Sequence, residues 1–244
     1  SLRLYFRNQY GPGPLEVPLF DESEVEWFKS IVLRAGHNDR TNPFIKDELL
    51  RRLHKDMGQR ASMGTFANVF INGEYKGYFN PAEHIKDDAC QQWFDSDEPW
   101  DVMTMNGLRD GNSQSWNDML NYARSNNLAN DAHYRELLGK LDVVSFIDYL
   151  IIRLWPNDWD WPQNNWAAAA ERSVAGRWKF FVWDAEGTFV SSQLYVDRFR
   201  ELNSQGNANG QIFRALKANR NFRQLFADRV YKHFYNGGAL SAAN

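Results

Sequence analysis

Cysteine is almost missing from this chain: Cys90 is the single one among 244 residues. An internal disulfide and a zinc site built from cysteine clusters are both excluded. Long apolar runs are missing too. The longest, near Val143 to Trp155, is broken by Ser145, Asp148 and Arg153 and falls short of the ~20 residues a membrane span needs. There is no marked excess of one charge, since 28 Lys and Arg face 31 Asp and Glu for a net −3. No global field therefore draws the chain to nucleic acid or to an anionic membrane. The opening SLRLYFRNQYG lacks the apolar core of a signal peptide. Internal repeats, low-complexity linkers, HExxH and GxSxG are absent as well. The five histidines, at 37, 54, 84, 133 and 233, show no ligand spacing.

What is abundant is aromatic. Ten Trp, ten Tyr and seventeen Phe make up 15% of a chain that is 43% hydrophobic and 24% charged, a globular composition whose apolar content is carried largely by rings. Leu2, Leu4 and Phe6 alternate with polar residues, so the chain opens in a strand, and an upstream continuation is expected. GPGP at 11–14 breaks that strand. Trp27 to Leu33 reads as a second strand. Asn42-Pro43 reads as the start of a helix with Ile45, Leu49, Leu53 and Met57 as its apolar stripe and Gly58 as its stop, while Arg51, Arg52 and Lys55 form a solvated face. Asn72-Gly73 between Val69-Phe70-Ile71 and Glu74-Tyr75 predicts a hairpin that Asn80-Pro81 ends. The stretch 85–111 is polar and without period. Helices follow at 115–127, 131–140 and 142–155, the last apolar over most of its circumference and so buried. Strands at 166–170 and 178–183 flank a turn, and further helices occupy about 209–236. One α+β domain is expected.

The densest polar constellation is Asn157-Asp158-Trp159-Asp160-Trp161-Pro162-Gln163-Asn164-Asn165, after the buried helix and before a hairpin that ends in Trp183-Asp184-Ala185-Glu186. Phosphoryl transfer needs a carboxylate to orient the acceptor hydroxyl, and an Asn with a second carboxylate to hold Mg²⁺ against the phosphates. Protein kinases place that Asp and Asn five residues apart, with the second Asp following later in the chain. Asp160, Asn165 and Asp184 match this order. The plain alternative is that Asp158, Asp160 and the asparagines cap the helix and bond loop backbone. Six tryptophans, Trp155, Trp159, Trp161, Trp166, Trp178 and Trp183, crowd the constellation and read as core beneath it more readily than as stacking platforms.

LRLYFRNQYG, VLRAGHND, VFINGEYKGYFN, SFIDYLIIRLW, NDWDWPQNNW and WKFFVWDAE occur in this order, and together they resemble the spore coat protein H (CotH) kinase family over Ser1 to about Glu186. The resemblance implies an atypical protein-kinase-like α+β fold, with a sheet-rich part over about 1–84 and a mostly helical part over about 85–244. It implies ATP and Mg²⁺ or Mn²⁺ as cofactors, a protein Ser/Thr acceptor, a monomer, and an extracellular or surface-associated setting. Carried over, the Asp of the DWP-type motif is Asp160, its Asn is Asn165, and the metal-binding Asp of the WDxD-type motif is Asp184. The second acid of that motif is Glu186 here, one methylene longer. The family's phosphate-gripping lysine is expected upstream of Ser1 or is lost, with Lys29 or Arg34 as substitutes within the chain. Helix 43–57 would be the regulatory helix with Glu48 as an ion-pair partner, and Glu83 would lie at an adenine-binding linker. Two rivals follow from the same residues. One is a non-catalytic pseudokinase or surface-binding module, and the other is a glycan-active enzyme using Asp160 and Glu186 as its acid/base pair.

Overall fold

Two four-stranded antiparallel sheets, a two-stranded ribbon and eight α-helices form the framework of the computed structural model, which describes residues 1–39, 44–242 and 244. The first sheet runs in the order β1 (Leu2–Tyr5), β4 (Ser30–Arg34), β6 (Glu74–Glu83), β5 (Ala67–Ile71). A short ribbon of β2 (Leu15–Glu16) and β3 (Trp27–Phe28) sits between β1 and β4 in the chain. The β5–β6 turn is the expected one: Asn72 (φ 52°) and Gly73 (φ 80°) are both left-handed, as a two-residue hairpin turn whose twist matches its strands requires. β6 does not end at Pro81. It continues to Glu83 and pairs with β4 through Leu33↔Pro81 and Ile31↔Glu83. On the β5 side Thr65 N donates to Pro81 O at 3.0 Å, and the Thr65 carbonyl accepts from Asn80 Nδ2 at 2.8 Å, so a side chain supplies the N–H that the proline lacks.

The second sheet has the order β10 (Lys179–Val182), β9 (Trp166–Glu171), β7 (Trp100–Thr104), β8 (Gly107–Asp110). It explains the aromatic composition. Ala167 and Ala169 of β9 belong to one core cluster with Trp93, Trp100 and Phe181, and Ala168 and Ala170 to the other with Trp116, Trp178 and Phe180. Alternating methyl groups on a central strand leave room for rings on both faces at interior density. β7 is buried at all five positions, so it shows no alternation. With β8 and α2 (Asp87–Trp93) it fills the stretch expected to be irregular.

The helices α3 (Gln114–Ser125), α4 (Asp131–Leu138) and α5 (Val143–Leu154) fall where the periodicity placed them. Asp142 caps α5 by accepting from Ser145 N at 3.0 Å, and nine of its twelve residues are buried. α6 (Arg198–Ser204), α7 (Ala208–Leu216) and α8 (Arg220–Phe234) close the chain, and α5 packs against α1 (Lys46–Asp56), β10 and α8.

α1 corrects two expectations. Its starting pair Asn42-Pro43 lies outside the described residues, and within them Asp39 Oδ2 accepts from Lys46 N at 3.0 Å. Of its expected apolar stripe only the second half packs on the core, through Leu53 and Met57, while Ile45 and Leu49 are exposed. The buried face is Asp47, Glu48, Leu50, Arg51 and His54, the i, i+3, i+4, i+7 spacing of one helix side written mainly in polar residues. Arg51 is therefore no solvated side chain: it is 0% exposed and bonds Asp47, Glu48, Asn80 and Ser62 O.

Candidate active site

The ends of β4, α1, α5 and β10 converge, and the polar residues of the two loops meet there. The loop after α5 is anchored first by Asp158, which pairs with Arg153 at 2.7 Å with both side chains 0% exposed. Its Oδ1 accepts from Asp160 N at 3.1 Å, so Asp158 does the backbone-holding work the plain alternative assigned. Asn157 Nδ2 donates to Gln193 O (2.6 Å) and Val196 O (3.1 Å), and Trp159 N donates to Gly187 O at 3.1 Å. These bonds tie the loop to the segment that follows β10. Among the described residues eight non-glycine residues have left-handed backbones, and Asn157, Asn165, Asp184 and Phe189 are four of them. Such conformations cost ~1–3 kcal/mol each and concentrate at functional sites.

On this support Asp160 stays half-exposed. Its Oδ1 accepts from Asn164 Nδ2 at 2.8 Å and its Oδ2 from Asn165 Nδ2 at 2.9 Å. Asp160 and Asn165 are thus brought together directly, and the Asn165 amide oxygen is turned away from Asp160. Burial holds the Asp158 carboxyl above its usual range against the pull of Arg153, and the charges of Asp160 and Asp184 push the same way. Asp160 and Asp184 are therefore each close enough to Asp158 to repel its charge.

Asp184 meets β4 through Arg34. One nitrogen, Nη2, donates to Asp184 Oδ1 at 2.5 Å and to Glu186 Oε1 at 2.8 Å, while Nε lies 2.9 Å from Asp47 Oδ2 on α1. Asp47 also accepts from Ala185 N at 2.8 Å. The Arg34 guanidinium is 4.9 Å from the Trp183 ring centroid, a cation–π distance. Burial opposes its charge, yet Asp47, Asp184 and Glu186 hold its pKa above that of a free guanidinium. Asp47 is depressed despite burial, because Arg34, Arg51 and the Ala185 N–H outweigh it. Glu186 goes the other way: burial raises it, with Asp184 and Asp47 adding to the shift. A cavity of about 460 Å³ opens here, lined by Arg34, His37, Asn38, Asp184 and Glu186 among others.

The other expectations sort as follows. Between Lys29 and Arg34, Arg34 is the one in the cleft, while Lys29 Nζ sits 5.4 Å from the Trp27 ring at the β2–β3 ribbon. The partner of the strand cation on α1 is Asp47 and not Glu48, which pairs instead with Arg51 at 2.7 Å and Arg52 at 2.8 Å. Glu83 ends β6 but turns into the core. It is 0% exposed and accepts from Met63 N (2.9 Å), Trp93 Nε1 (3.0 Å) and Ser23 Oγ, so no group of its side chain faces the cleft. Trp161, Trp166 and Trp178 are core, whereas Trp155 and Trp159 are exposed. Glu186 is buried and bonded on both oxygens, which is unlike the open carboxylate pair of a glycan hydrolase.

Asp47 and Asn38 escaped sequence reasoning. Asp47 carried a signal, for it stands four residues before Arg51 in a helix, the spacing of an ion pair. Asn38 acts through its backbone N–H, which no side-chain pattern reveals.

A strand cation paired with a helix acid, over a loop Asp and Asn and a later strand-end Asp, defines a protein-kinase-like architecture. The sequence profile described as CotH kinase protein matches residues 1–236, and the chain belongs to that family. No curated protein matches the chain.

Proposed function

We propose that the protein transfers the γ-phosphoryl group of ATP to a Ser or Thr hydroxyl of a protein acceptor. The observation that carries this reading is Arg34 of β4, held by Asp47 of α1 while it reaches Asp184. Active protein kinases require such a strand–helix ion pair beside the metal-holding aspartate. Asp160, oriented by two amide donors, takes the acceptor proton as the oxygen attacks phosphorus. The bond from the γ-phosphorus to the bridging oxygen breaks, and ADP leaves. Arg34 lines the cavity as the fixed cation facing the phosphates.

Among the described residues no group of three His, Cys, Asp or Glu side chains could hold a metal. Asn165 and the 38%-exposed Asp184 side chain offer two hard oxygen donors, which fits Mg²⁺ or Mn²⁺ arriving with the nucleotide, since Mg²⁺ is usually bound by one or two carboxylates plus substrate phosphates. Bound there, the ion supplies neutralisation of phosphate charge. The family is related to the spore coat, which supports a coat-associated or extracellular setting, and a monomer acting on a protein is part of the proposal; no described helix is long and apolar enough to cross a membrane.

Two variants test the reading in purified protein with ATP and Mn²⁺. Asp184→Ala is expected to lose metal-dependent nucleotide binding. Asp160→Ala is expected to keep binding but to lose transfer by about 10²–10⁴-fold, the scale of a general base. Full turnover by Asp184→Ala would remove Asp184 as the metal ligand and with it the kinase assignment as drawn, whereas a wild-type chain that transfers no phosphoryl group would be a binding module.

A further inference from the structure

The family pattern pairs two acids across one residue after β10, and the obvious expectation is that both take metal. The geometry divides them. Glu186 has a side chain only 6% exposed and both oxygens are spent: Oε1 accepts from Arg34 Nη2 at 2.8 Å and Oε2 from Asn38 N at 2.8 Å. Asp184 is bonded through Oδ1 to that same nitrogen, while its side chain remains 38% exposed. The two carboxylates therefore pinch one guanidinium nitrogen, as two acids flanking a divalent cation would. Arg34 cannot leave easily, because Nε is fixed by Asp47 at 2.9 Å and Asp47 is in turn fixed by Arg51 and Ala185 N.

We infer that Arg34 fills the position of a second cation between Asp184 and Glu186, that the protein takes one divalent ion, on Asp184 and Asn165, and that Glu186 is a positioning residue. It rests on the phosphotransfer reading and deepens it. Glu186 holds Arg34 against Asp184 from one side, and from the other it ties the loop Ala35–Asp39, which walls the cavity, to the residues after β10. An arginine in that place is a charge that needs no occupancy, so it stays neutralising at any metal concentration. Its Nη2 is already shared by two carboxylates, so most of the phosphate charge is left for the ion to neutralise, which predicts that nucleotide and the single metal enter as one complex.

The experiment counts ions. Mn²⁺ binding to the full chain is followed by electron paramagnetic resonance and calorimetry, with and without a non-hydrolysable ATP analogue. The expected result is one Mn²⁺ per chain, seen with the analogue and at least about tenfold weaker without it. Glu186→Gln keeps one ion, with affinity lowered by no more than about tenfold, the low end for residues that orient a ligand. Asp184→Asn loses the ion. Two Mn²⁺ per wild-type chain, with phosphotransfer observed, overturns the inference while leaving the function standing. Loss of the ion in Glu186→Gln as complete as in Asp184→Asn also overturns it, by making Glu186 a ligand. Binding of neither Mn²⁺ nor analogue overturns the phosphotransfer reading and this inference with it.

Discussion

The loop after α5 and the end of β6 each bury an acid completely, and they do so in opposite ways. Asp158 faces a buried arginine at 2.7 Å. Glu83 faces neutral donors, the hydroxyl of Ser23, the N–H of Met63 and the indole of Trp93, with Arg51 a weaker and more distant influence. Burial pushes both acids up, but Glu83 is carried to about 7. A buried carboxylate with a cation partner makes an ion-pair anchor whose removal strands a charge, whereas one with neutral donors makes a protonation site whose cost depends on pH. Only the first lies next to the cleft.

Breaking the anchor is expected to have the largest effect. Asp158→Ala leaves Arg153, 0% exposed, without its counter-charge, and deprives Asp160 N of its acceptor. Losing one partner of a buried pair costs about 3–5 kcal/mol, to be read as a fall in the urea midpoint at pH 7. A loss under about 1 kcal/mol would mean that the loop is held by Asn157 and Trp159 alone.

The second effect separates the two acids by pH. Glu83 has a folded pKa of about 7 against a usual 4.5, so between these values the folded state holds a proton that the unfolded state has released. Its contribution is present below about pH 4.5 and is lost as pH rises through about 7. His54 and His84, lowered by burial to about 4 and about 3, act in the reverse sense, since below 6.5 the unfolded chain takes up their protons first. Those histidine contributions are common to wild type and Glu83→Gln. The difference in unfolding free energy between the two proteins, wild type minus variant, is therefore expected to fall by about 2–3 kcal/mol from pH 5 to pH 8. A pH-independent difference would show that Glu83 is ionised throughout, as an acid with a cation partner would be.

The same contrast shows what the sequence could reveal. The contact of Asp160 with Asn165 was legible because a short-range chain-order pattern survives folding, and Asn72-Gly73 because a two-residue turn is a local matter. The buried polar face of α1 was not, because hydrophobic period marks the side packed on apolar neighbours, whereas α1 buries Asp47 against Arg34 of β4 and Ala185, and Arg51 against Ser62 and Asn80 of β6. β7 hid for the converse reason, being buried on both faces. Glu83 was expected past the strand, at a linker, whereas it is the last residue of β6 and its side chain turns into the core. Chain order fixes a position along β6, while the direction of the side chain is set by Trp93 and Met63, which are distant in sequence or on another strand edge.

The smallest stability effect is expected two residues from the largest. Asp160 is half-exposed and its partners are the amides of Asn164 and Asn165. Asp160→Ala gives up two hydrogen bonds, each worth about 0.5–1.5 kcal/mol net when buried and less where water can replace the partner. It also removes a negative charge that repels Asp158, so part of the loss is returned. The net change in unfolding free energy should stay below about 1 kcal/mol, against about 3–5 kcal/mol for Asp158→Ala, although both residues sit in one loop. Measured beside the transfer assay, the pair forms a double dissociation: Asp158→Ala loses the fold's anchor, and Asp160→Ala loses chemistry while the protein unfolds at nearly the wild-type midpoint. If Asp160→Ala destabilised as much as Asp158→Ala, the half-open aspartate would be a second anchor, and the acceptor proton would have to be taken elsewhere.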